Sequence, residues 1–354
     1  MHRRRFLQTA GMLSIAPALP RVSGSIGSAS AAPSLIKPRR LSAGDTVGIV
    51  SPASATFQSV DVDVARESLE ALGLKVKLGD HMMERHGYLA GDDRARATDI
   101  NAFFADSSVA AVHPIRGGWG SSRLLPYLDF DRIRRNPKII VGFSDITALL
   151  LSIHARTGLV TFHGPIALGR WDAWSVDYVK RVLFGGDLVT FEPKRDLNPD
   201  RNSLVQTEFR VQTITPGKAR GRLLGGNLTV LTTIVGSGYL PDWDGAILFT
   251  EDVHEEPYRI DRMLTQLKLA GVLSKLKGFV FGGCAECEPG EGSYGGLTIE
   301  EIFDDHIKPL GIPAWQGAMI GHQQPQWTLP EGIQVEIDAT AGTIAELESP
   351  VSQA

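Results

Sequence analysis

Serine, histidine and glutamate are the side chains in this sequence whose surroundings best suit chemistry. The first is Ser121, in the stretch Arg-Gly-Gly-Trp-Gly-Ser-Ser-Arg that begins at Arg116. A mostly apolar run precedes this stretch and a helix-compatible run follows it, which is the strand–turn–helix layout of a nucleophile elbow. The helix N-terminus behind such a turn offers N–H groups to a developing oxyanion. A structural glycine turn or a phosphate loop is the alternative, although the spacing fits neither Gly-x-Gly-x-x-Gly nor the lysine-bearing phosphate loop.

A serine nucleophile needs a neighbouring base, and the base needs an acid that orients it. Of the nine histidines, His322 lies in a loop after an apolar stretch, with little nearby that would satisfy a buried imidazole. A surface histidine is the alternative. His163 ends a predicted strand and is a candidate to line a crevice. Glu251 directly ends an apolar strand, where a carboxylate either caps a turn or belongs to a site. Its acidic neighbours stay open as alternatives.

Strands alternate with helices over the first part of the chain, which predicts an α/β fold with a parallel sheet covered on both faces. Sites in such sheets lie beyond the carboxyl ends of the strands. Ser121 follows one predicted strand, and Ser144 with Asp145 follows the next. The three residues are therefore expected at one crevice, with helix capping as the alternative for Ser144 and Asp145.

The chain has 354 residues, a length that favours two domains. Residues 166–216 are less regular than the segments on either side. We predict an N-terminal α/β domain at 32–165, an interdomain connection at 166–216 and a C-terminal domain at 217–354. Asn227 follows a glycine turn in the last of these, where it caps a predicted helix and is also a candidate substrate contact.

Residues 1–31 have the pattern of a twin-arginine signal peptide. Arg-Arg-x-Phe-Leu, here Arg3 to Leu7, is followed by a moderately apolar stretch and by Ala-Ser-Ala at 29–31. A basic tail before a short core helix is the alternative. We predict export to the periplasm and no other membrane attachment, because no apolar run is long enough to span a bilayer.

The charge of the chain argues against nucleic acid as a partner. The formal net charge is -4, and it becomes -8 when the four arginines of the leader are removed. An acidic protein is a poor nucleic-acid binder. The two cysteines, Cys284 and Cys287, form one Cys-x-x-Cys pair, which is too few ligands for structural zinc. A disulfide between them is left open.

Several motifs resemble those of the LD-carboxypeptidase family, the muramoyltetrapeptide carboxypeptidases. They occur in the family's order from about Ile36 to about Ile344 and so cover nearly all of the chain after the leader. The motifs are Gly117-Gly118-Trp119-Gly120-Ser121 with Arg123-Leu124-Leu125, Tyr88-Leu89-Ala90-Gly91-Asp92, Gly142-Phe143-Ser144-Asp145, His163-Gly164-Pro165, Gly225-Gly226-Asn227-Leu228, Glu251-Asp252-Val253, Glu256-Pro257-Tyr258-Arg259, and Gly321-His322.

The resemblance implies a Ser-His-Glu serine peptidase that uses no metal or organic cofactor. Ser121 resembles the nucleophile, His322 the general base and Glu251 the orienting acid, and the N–H groups of Gly118 and Ser122 would form the oxyanion hole. The implied fold has an N-terminal parallel-sheet α/β domain and a smaller β-rich α/β C-terminal domain. Glu251 and His322 lie in the second domain, and the family is commonly homodimeric.

The implied substrate is a peptidoglycan tetrapeptide, cut between the L-centre of a diamino acid and the terminal D-alanine. Arg116 beside the elbow is a candidate for binding the terminal carboxylate, with structural pairing as the alternative. One rival function is the microcin-C-resistance type of serine peptidase, which cuts an amide in a peptidyl nucleotide. Those relatives usually carry Asn around the elbow serine, whereas Gly120 and Ser122 flank it here. The other rival is a non-catalytic periplasmic protein that binds muropeptides.

Overall fold

A computed structural model describes residues 33–194, 205–206, 209–287 and 296–353 of the chain. Ala32–Ala354 form one compact unit. The predicted signal peptide, residues 1–31, lies outside the described residues. Within the described ranges, no helix combines the length and apolarity needed to cross a bilayer.

Strands and helices alternate through the first part of the chain, as the sequence predicts. The strands are β1 (Thr46–Val50), β2 (Lys75–Leu78), β3 (Val109–Pro114), β4 (Ile139–Gly142), β5 (Thr161–His163), β6 (Thr190–Phe191), β7 (Gln212–Thr215), β8 (Lys218–Asn227), β9 (Ala246–Val253), β10 (Gly278–Ala285), β11 (Ala314–Gln316), β12 (Leu329–Glu331), β13 (Gln334–Asp338) and β14 (Thr343–Glu346). The α-helices are α1 (Ser59–Glu70), α2 (Asp93–Ala105), α3 (Phe130–Arg135), α4 (Thr147–Thr157), α5 (Ala173–Val179), α6 (Leu228–Thr233), α7 (Pro257–Leu269) and α8 (Ile299–His306).

The first sheet has the strand order β12-β5-β4-β3-β1-β2. Strands β1 to β5 are parallel, and β12 joins antiparallel at the edge beside β5. In β4 the side chain of Ile140 belongs to one hydrophobic cluster, while Ile139 and Val141 belong to another. Helices α2 and α4 pack in the first cluster and α1 in the second. The predicted parallel sheet, covered on both faces, is confirmed.

The strand order of this sheet reverses direction between β1 and β3. From β1 the chain goes outward to β2, returns to β3 on the other side of β1, and then continues through β4 to β5. In an open parallel sheet, such a reversal leaves a crevice at the carboxyl ends of the strands. The loops that follow β1, β3 and β4 therefore meet at that crevice.

The second sheet has the strand order β6-β14-β13-β8-β9-β10-β11-β7. Its central strands β8 to β11 are parallel, and the outer strands are antiparallel to their neighbours. This sheet matches the β-rich second part that the resemblance implies. The predicted interdomain connection at 166–216 holds α5 and supplies β6 and β7 to opposite edges of this sheet. The predicted domain boundaries stay a prediction.

Cys284 and Cys287 form a disulfide at the end of β10, with their Cα atoms 5.3 Å apart. The backbone N–H of Glu255 points at the Cys287 sulfur over 3.4 Å, and that of His254 donates to the carbonyl of Ala285. The disulfide loop thus packs against the turn that follows β9. The sequence leaves open whether Cys284 and Cys287 are bonded to each other, and in the structure they are.

Candidate active site

Ser144 lies on a sharp turn between β4 and α4. Its φ angle is 62°, a left-handed conformation that is uncommon for a residue with a side chain and that concentrates at functional sites. A side chain at Gly142 would meet the Ile146 side chain at 2.9 Å, so the turn can be this tight only with glycine there. Strand, strained serine and helix together form a nucleophile elbow.

His322 connects Ser144 to Glu251. Its Nδ1 lies 2.7 Å from the Glu251 Oε2 atom, and its Nε2 lies 3.0 Å from the Ser144 Oγ atom. The Phe143 ring packs edge-on against the imidazole, with ring centroids 5.0 Å apart. These contacts orient the ring so that one nitrogen faces the carboxylate and the other faces the hydroxyl.

Gly321 allows His322 to approach the carboxylate so closely. Its φ angle is 84°, and a Cβ atom there would overlap the Glu251 carboxylate. Any larger residue would push the His322 loop away from Glu251. The Gly-His dipeptide is therefore a geometric requirement of this arrangement.

Glu251 and His322 each change the ionisation of the other. Glu251 sits on β9 with only 1% of its surface exposed. Burial raises the pKa of Glu251, but the hydrogen bond and charge of His322 outweigh burial and leave this pKa below its usual value. Burial lowers the pKa of His322, but the hydrogen bond and charge of Glu251 outweigh it and raise this pKa above 6.5. An ionised Glu251 accepts the Nδ1–H bond, which leaves Nε2 as the acceptor facing Ser144.

The structure does not bring Ser121 to His322, so the predicted contact between them is wrong. Ser121 is 0% exposed and begins a 3-10 helix, Ser121–Tyr127. Its Oγ donates to the carbonyl of Asp145, and its backbone N–H donates to the Asp145 carboxylate over 2.7 Å. A hydroxyl that is buried and already bound to a carbonyl is not available to an imidazole or a substrate.

The sequence predicts Ser144 in the crevice, but only in a capping or substrate-contact role. The sequence does contain a signal for a larger role, since Phe-Ser-Asp follows a buried strand that ends in glycine and precedes a helix, the same layout as at Ser121. Two strand–turn–serine segments compete in this chain. Only the fold shows which of them faces the imidazole.

The glycine loop that follows β3 packs directly against Ser144. A Cβ atom at Gly117 would lie 3.1 Å from the Ser144 Cβ and 3.3 Å from both the Ser144 Oγ and the Asp145 nitrogen. Gly118 is exposed and has a φ angle of 110°. The glycine loop at Gly117 and the backbone nitrogen of Asp145 thus both lie close to the Ser144 side chain.

Three residues predicted as substrate contacts, Asp145, His163 and Asn227, are buried in the structure. Asp145 is 1% exposed and His163 is 0% exposed. The His163 ring packs edge-on against Phe249 with centroids 5.2 Å apart, and burial lowers its pKa to about 4, so the ring is neutral. The three side chains support the site from behind.

Asn227 joins the second sheet to the elbow helix. Its backbone N–H donates to the Thr147 Oγ atom at the start of α4 over 3.0 Å. Its side chain caps α6 through the N–H of Val230 and donates to Asp252, the neighbour of Glu251. This residue therefore holds the strand end that carries Glu251 in line with the turn that carries Ser144.

Arg116 is the cation of the glycine loop. It is half-buried, and its Nη1 reaches the carbonyl of Ala55 only at 3.5 Å, while its buried Nε has no hydrogen-bond partner within the described residues. Arg123, on the other side of the loop, pairs with Asp93. Arg116 is thus the better placed of the two to bind an anionic group. The described ranges contain no cluster of three or more His, Cys, Asp or Glu side chains that could hold a metal ion.

Comparison with known proteins agrees with the fold and identifies the family. Residues 47–164 match the LD-carboxypeptidase N-terminal domain, and residues 220–337 match the LD-carboxypeptidase C-terminal domain. The chain is 40% identical over 321 residues to the probable murein peptide carboxypeptidase of Bacillus subtilis, covering 90% of this chain and 96% of that protein. It is 32% identical over 302 residues to the murein tetrapeptide carboxypeptidase of Pseudomonas aeruginosa, covering 81% and 91%.

Among solved structures, the fold is similar to that of the microcin C7 self-immunity protein MccF in complex with glutamyl sulfamoyl guanosine. The TM-score is 0.80 at 28% sequence identity, with 89% of this chain and 99% of that chain covered. Both halves of the chain match one peptidase family, and the relatives are matched over nearly their whole length. The chain belongs to the LD-carboxypeptidase family.

Proposed function

We propose that this protein is a serine-type LD-carboxypeptidase that removes the terminal D-alanine from peptidoglycan tetrapeptides. The observation that carries the proposal is the hydrogen-bonded series Ser144–His322–Glu251, with distances of 3.0 Å and 2.7 Å. A hydroxyl, an imidazole and a carboxylate in this order activate a nucleophile at neutral pH. The murein peptide carboxypeptidases among the relatives supply the substrate class.

In the proposed reaction, Ser144 attacks the carbonyl of the diamino acid while His322 Nε2 accepts the hydroxyl proton. Glu251 holds the imidazole in the required tautomer and stabilises its positive charge. The proton then passes to the amine of D-alanine, which leaves. Water attacks the acyl-enzyme with His322 again as the base, and the tripeptide is released.

The oxyanion that forms on the attacked carbonyl needs N–H donors. In an elbow, one donor is the N–H of the residue after the nucleophile. With Ser144 as the nucleophile in place of Ser121, this oxyanion donor is therefore the N–H of Asp145 and not that of Ser122. We assign the second donor to Gly118, as the family resemblance also implies, because its loop packs against Ser144.

A carboxypeptidase must also recognise a terminal carboxylate. Arg116 supplies a cation within the loop that contacts Ser144, and charge-assisted hydrogen bonds to a carboxylate are among the strongest in proteins. We assign Arg116 to this carboxylate. The position favours release of a single C-terminal residue over cleavage inside a longer peptide.

Defined peptides test the proposal. The protein is incubated with the tripeptide, tetrapeptide and pentapeptide stems, with diaminopimelate or lysine as the diamino acid, and the products are identified by mass spectrometry. We expect D-alanine and a tripeptide from the tetrapeptide. No release from either tetrapeptide would refute the function.

The microcin-type activity is the second candidate, because the MccF fold matches over 99% of its length. A peptidyl sulfamoyl nucleoside is the matching substrate, and its cleavage is followed in the same assay. Preferential cleavage of that compound would favour this candidate. A fluorophosphonate probe tests the remaining alternative, a non-catalytic protein that binds muropeptides, because such a protein would not be labelled at Ser144.

We further propose export by the twin-arginine route and a homodimeric assembly. The Cys284–Cys287 disulfide supports export, because disulfides persist in oxidising compartments. A fusion to a reporter that is active only in the periplasm, with Arg3, Arg4 and Arg5 changed to lysine as a control, tests the first. Light scattering of the protein without residues 1–31 tests the second, where a monomer mass would refute the dimer.

A further inference from the structure

Ser121 makes two hydrogen bonds to the residue that follows the proposed nucleophile. Its Oγ donates to the main-chain carbonyl of Asp145, and its N–H donates to the Asp145 Oδ2 atom over 2.7 Å. Both residues are buried, at 0% and 1% exposure. Ser121 thus binds both the main chain and the side chain of Asp145. The two hydrogen bonds together fix the orientation of Ser121 relative to Asp145, which a single hydrogen bond could not do.

Arg96 holds the same loop from the opposite side. Its Nη1 donates to the carbonyl of Gly120 over 3.0 Å and to that of Pro52 over 2.5 Å. Arg96 is 1% exposed, and its guanidinium pairs with Asp93. The glycine loop after β3 is therefore bound to the loop after β1 as well as to the elbow after β4.

The loop held in this way is the one that contacts Ser144. Between its two ends, the Trp119 N–H donates to the Ser54 Oγ atom over 3.1 Å. Gly118 and Gly120 have φ angles of 110° and 114°, so the turn has a defined shape that glycine permits. Movement at Ser121 would move the Gly118 N–H relative to the hydroxyl of Ser144.

We infer that Ser121 and Asp145 are positioning residues that fix the glycine loop against Ser144 and thereby set the oxyanion hole. The inference rests on the proposed function, in which Ser144 is the nucleophile. It gives the Gly-Gly-Trp-Gly-Ser motif a role different from the one its sequence suggests. The motif contributes an oxyanion donor, and its serine holds that donor in place.

The expected effect is on the transition state rather than on substrate binding. A misplacement of about 1 Å can cost about 100-fold in rate, and loss of one oxyanion donor costs about 100- to 1,000-fold in kcat. Ser121→Ala removes one of the two hydrogen bonds and keeps the N–H bond. We expect kcat to fall by about 10- to 100-fold with KM changed less than threefold.

The experiment compares Ser121→Ala and Asp145→Asn with the parent protein and with Ser152→Ala. Ser152 is a buried serine on α4 whose Oγ has no hydrogen-bond partner within the described residues, so it controls for loss of a buried hydroxyl. Each variant is assayed for kcat and KM with the tetrapeptide. Binding is measured for the tripeptide product and for a tripeptide boronic acid, whose tetrahedral adduct places an oxygen in the oxyanion hole.

We expect Ser121→Ala to weaken boronate inhibition by the same factor as kcat, to leave tripeptide affinity within twofold, and Ser152→Ala to behave like the parent. Parent-like kcat and boronate affinity in Ser121→Ala would overturn the inference, and so would an equal loss of tripeptide and boronate binding. If Ser121→Ala does not fold, Asp145→Asn decides, because it keeps the Ser121 hydroxyl bond to the main chain.

Fluorophosphonate labelling separates this inference from the substrate assignment, because it needs no peptide. The labelled residue is identified by mass spectrometry, and the labelling rates of parent and Ser121→Ala are compared. Slower labelling at Ser144 in Ser121→Ala supports the inference even if the parent does not cut the tetrapeptide. Labelling at Ser121 in the parent would refute it.

Discussion

The His322 Nε2 atom lies 3.0 Å from the Ser144 Oγ atom, although the two residues are 178 positions apart in the sequence. Ser144 belongs to the elbow after β4 of the first sheet. His322 lies in a loop between β11 and β12, and Glu251 on the second sheet holds its other nitrogen. The proposed site therefore depends on elements from both halves of the chain, joined in one compact unit.

Replacing the proposed nucleophile should abolish the reaction. We expect Ser144→Ala to lower kcat for D-alanine release by about 10⁴-fold or more, because the three groups act as a unit. The rate is measured by quantifying free D-alanine, and a thermal melt confirms folding. Parent-like release by a folded Ser144→Ala would show that another residue is the nucleophile.

The rate should fall at acidic pH with a midpoint above the ordinary histidine pKa of 6.5, since Glu251 raises the pKa of His322. The base must be neutral to accept a proton, so kcat/KM is low below this pKa and rises with pH through it. The measurement is kcat/KM between pH 5 and pH 9 in buffers of constant ionic strength, with a substrate that does not titrate in this range.

Glu251→Gln should shift that acid limb to lower pH, because the variant removes the charge that raises the pKa of His322. It should also lower the plateau by about 10⁴-fold, as expected when the orienting acid loses its charge. Glu336→Gln is the matched control, since its carboxylate pairs with Arg220 at the surface. An acid limb at the same pH in Glu251→Gln and the parent would contradict the pairing.

Removing the Arg116 charge should weaken binding of substrates with a free terminal carboxylate. A hydrogen bond to a charged group contributes about 1.5–3 kcal/mol, so Arg116→Gln should raise KM for the tetrapeptide about 10- to 100-fold. The tetrapeptide amide should be bound equally by the variant and the parent. Arg123→Gln, which breaks the Asp93 pair at the other end of the loop, should leave KM unchanged. An unchanged KM in Arg116→Gln would remove it from the site.

Stability should fall between about pH 5 and pH 8 because of Glu346. Burial raises the pKa of this carboxyl from 4.5 to about 8, so the folded protein keeps a proton that the unfolded chain releases. The stabilisation that the neutral Glu346 carboxyl contributes is complete below its pKa in the unfolded chain. It is lost as the pH rises towards its pKa in the folded protein. The free energy of unfolding is measured in urea at pH 5 and at pH 8. The parent should lose on the order of a few kcal/mol of this free energy between the two pH values, and Glu346→Gln should not show this loss. If the free energies of unfolding of the parent and the variant change with pH in parallel, the role assigned to Glu346 is refuted.

The sequence alone determined the family, the parallel sheet and two of the three residues in the proposed site. Periodic apolar runs and glycine stops predict helices and strands, because helix and strand periodicity and helix capping depend on residues that are close together in the sequence. Glu251 at a strand end and His322 after a glycine were visible in the same way. The motifs also specify the order of the segments, which suffices to recognise the family.

Only the tertiary structure decided which serine faces the imidazole. Ser121 and Ser144 both follow strands of one sheet, each within two residues after a glycine, so the local pattern does not distinguish them. A hydrogen bond depends on a few ångströms between atoms, and such distances are set by how β3, β4 and the His322 loop pack. That packing buries Ser121 against Asp145 and turns Ser144 towards His322. Asp145, His163 and Asn227 are buried by the same packing, which the sequence pattern does not reveal.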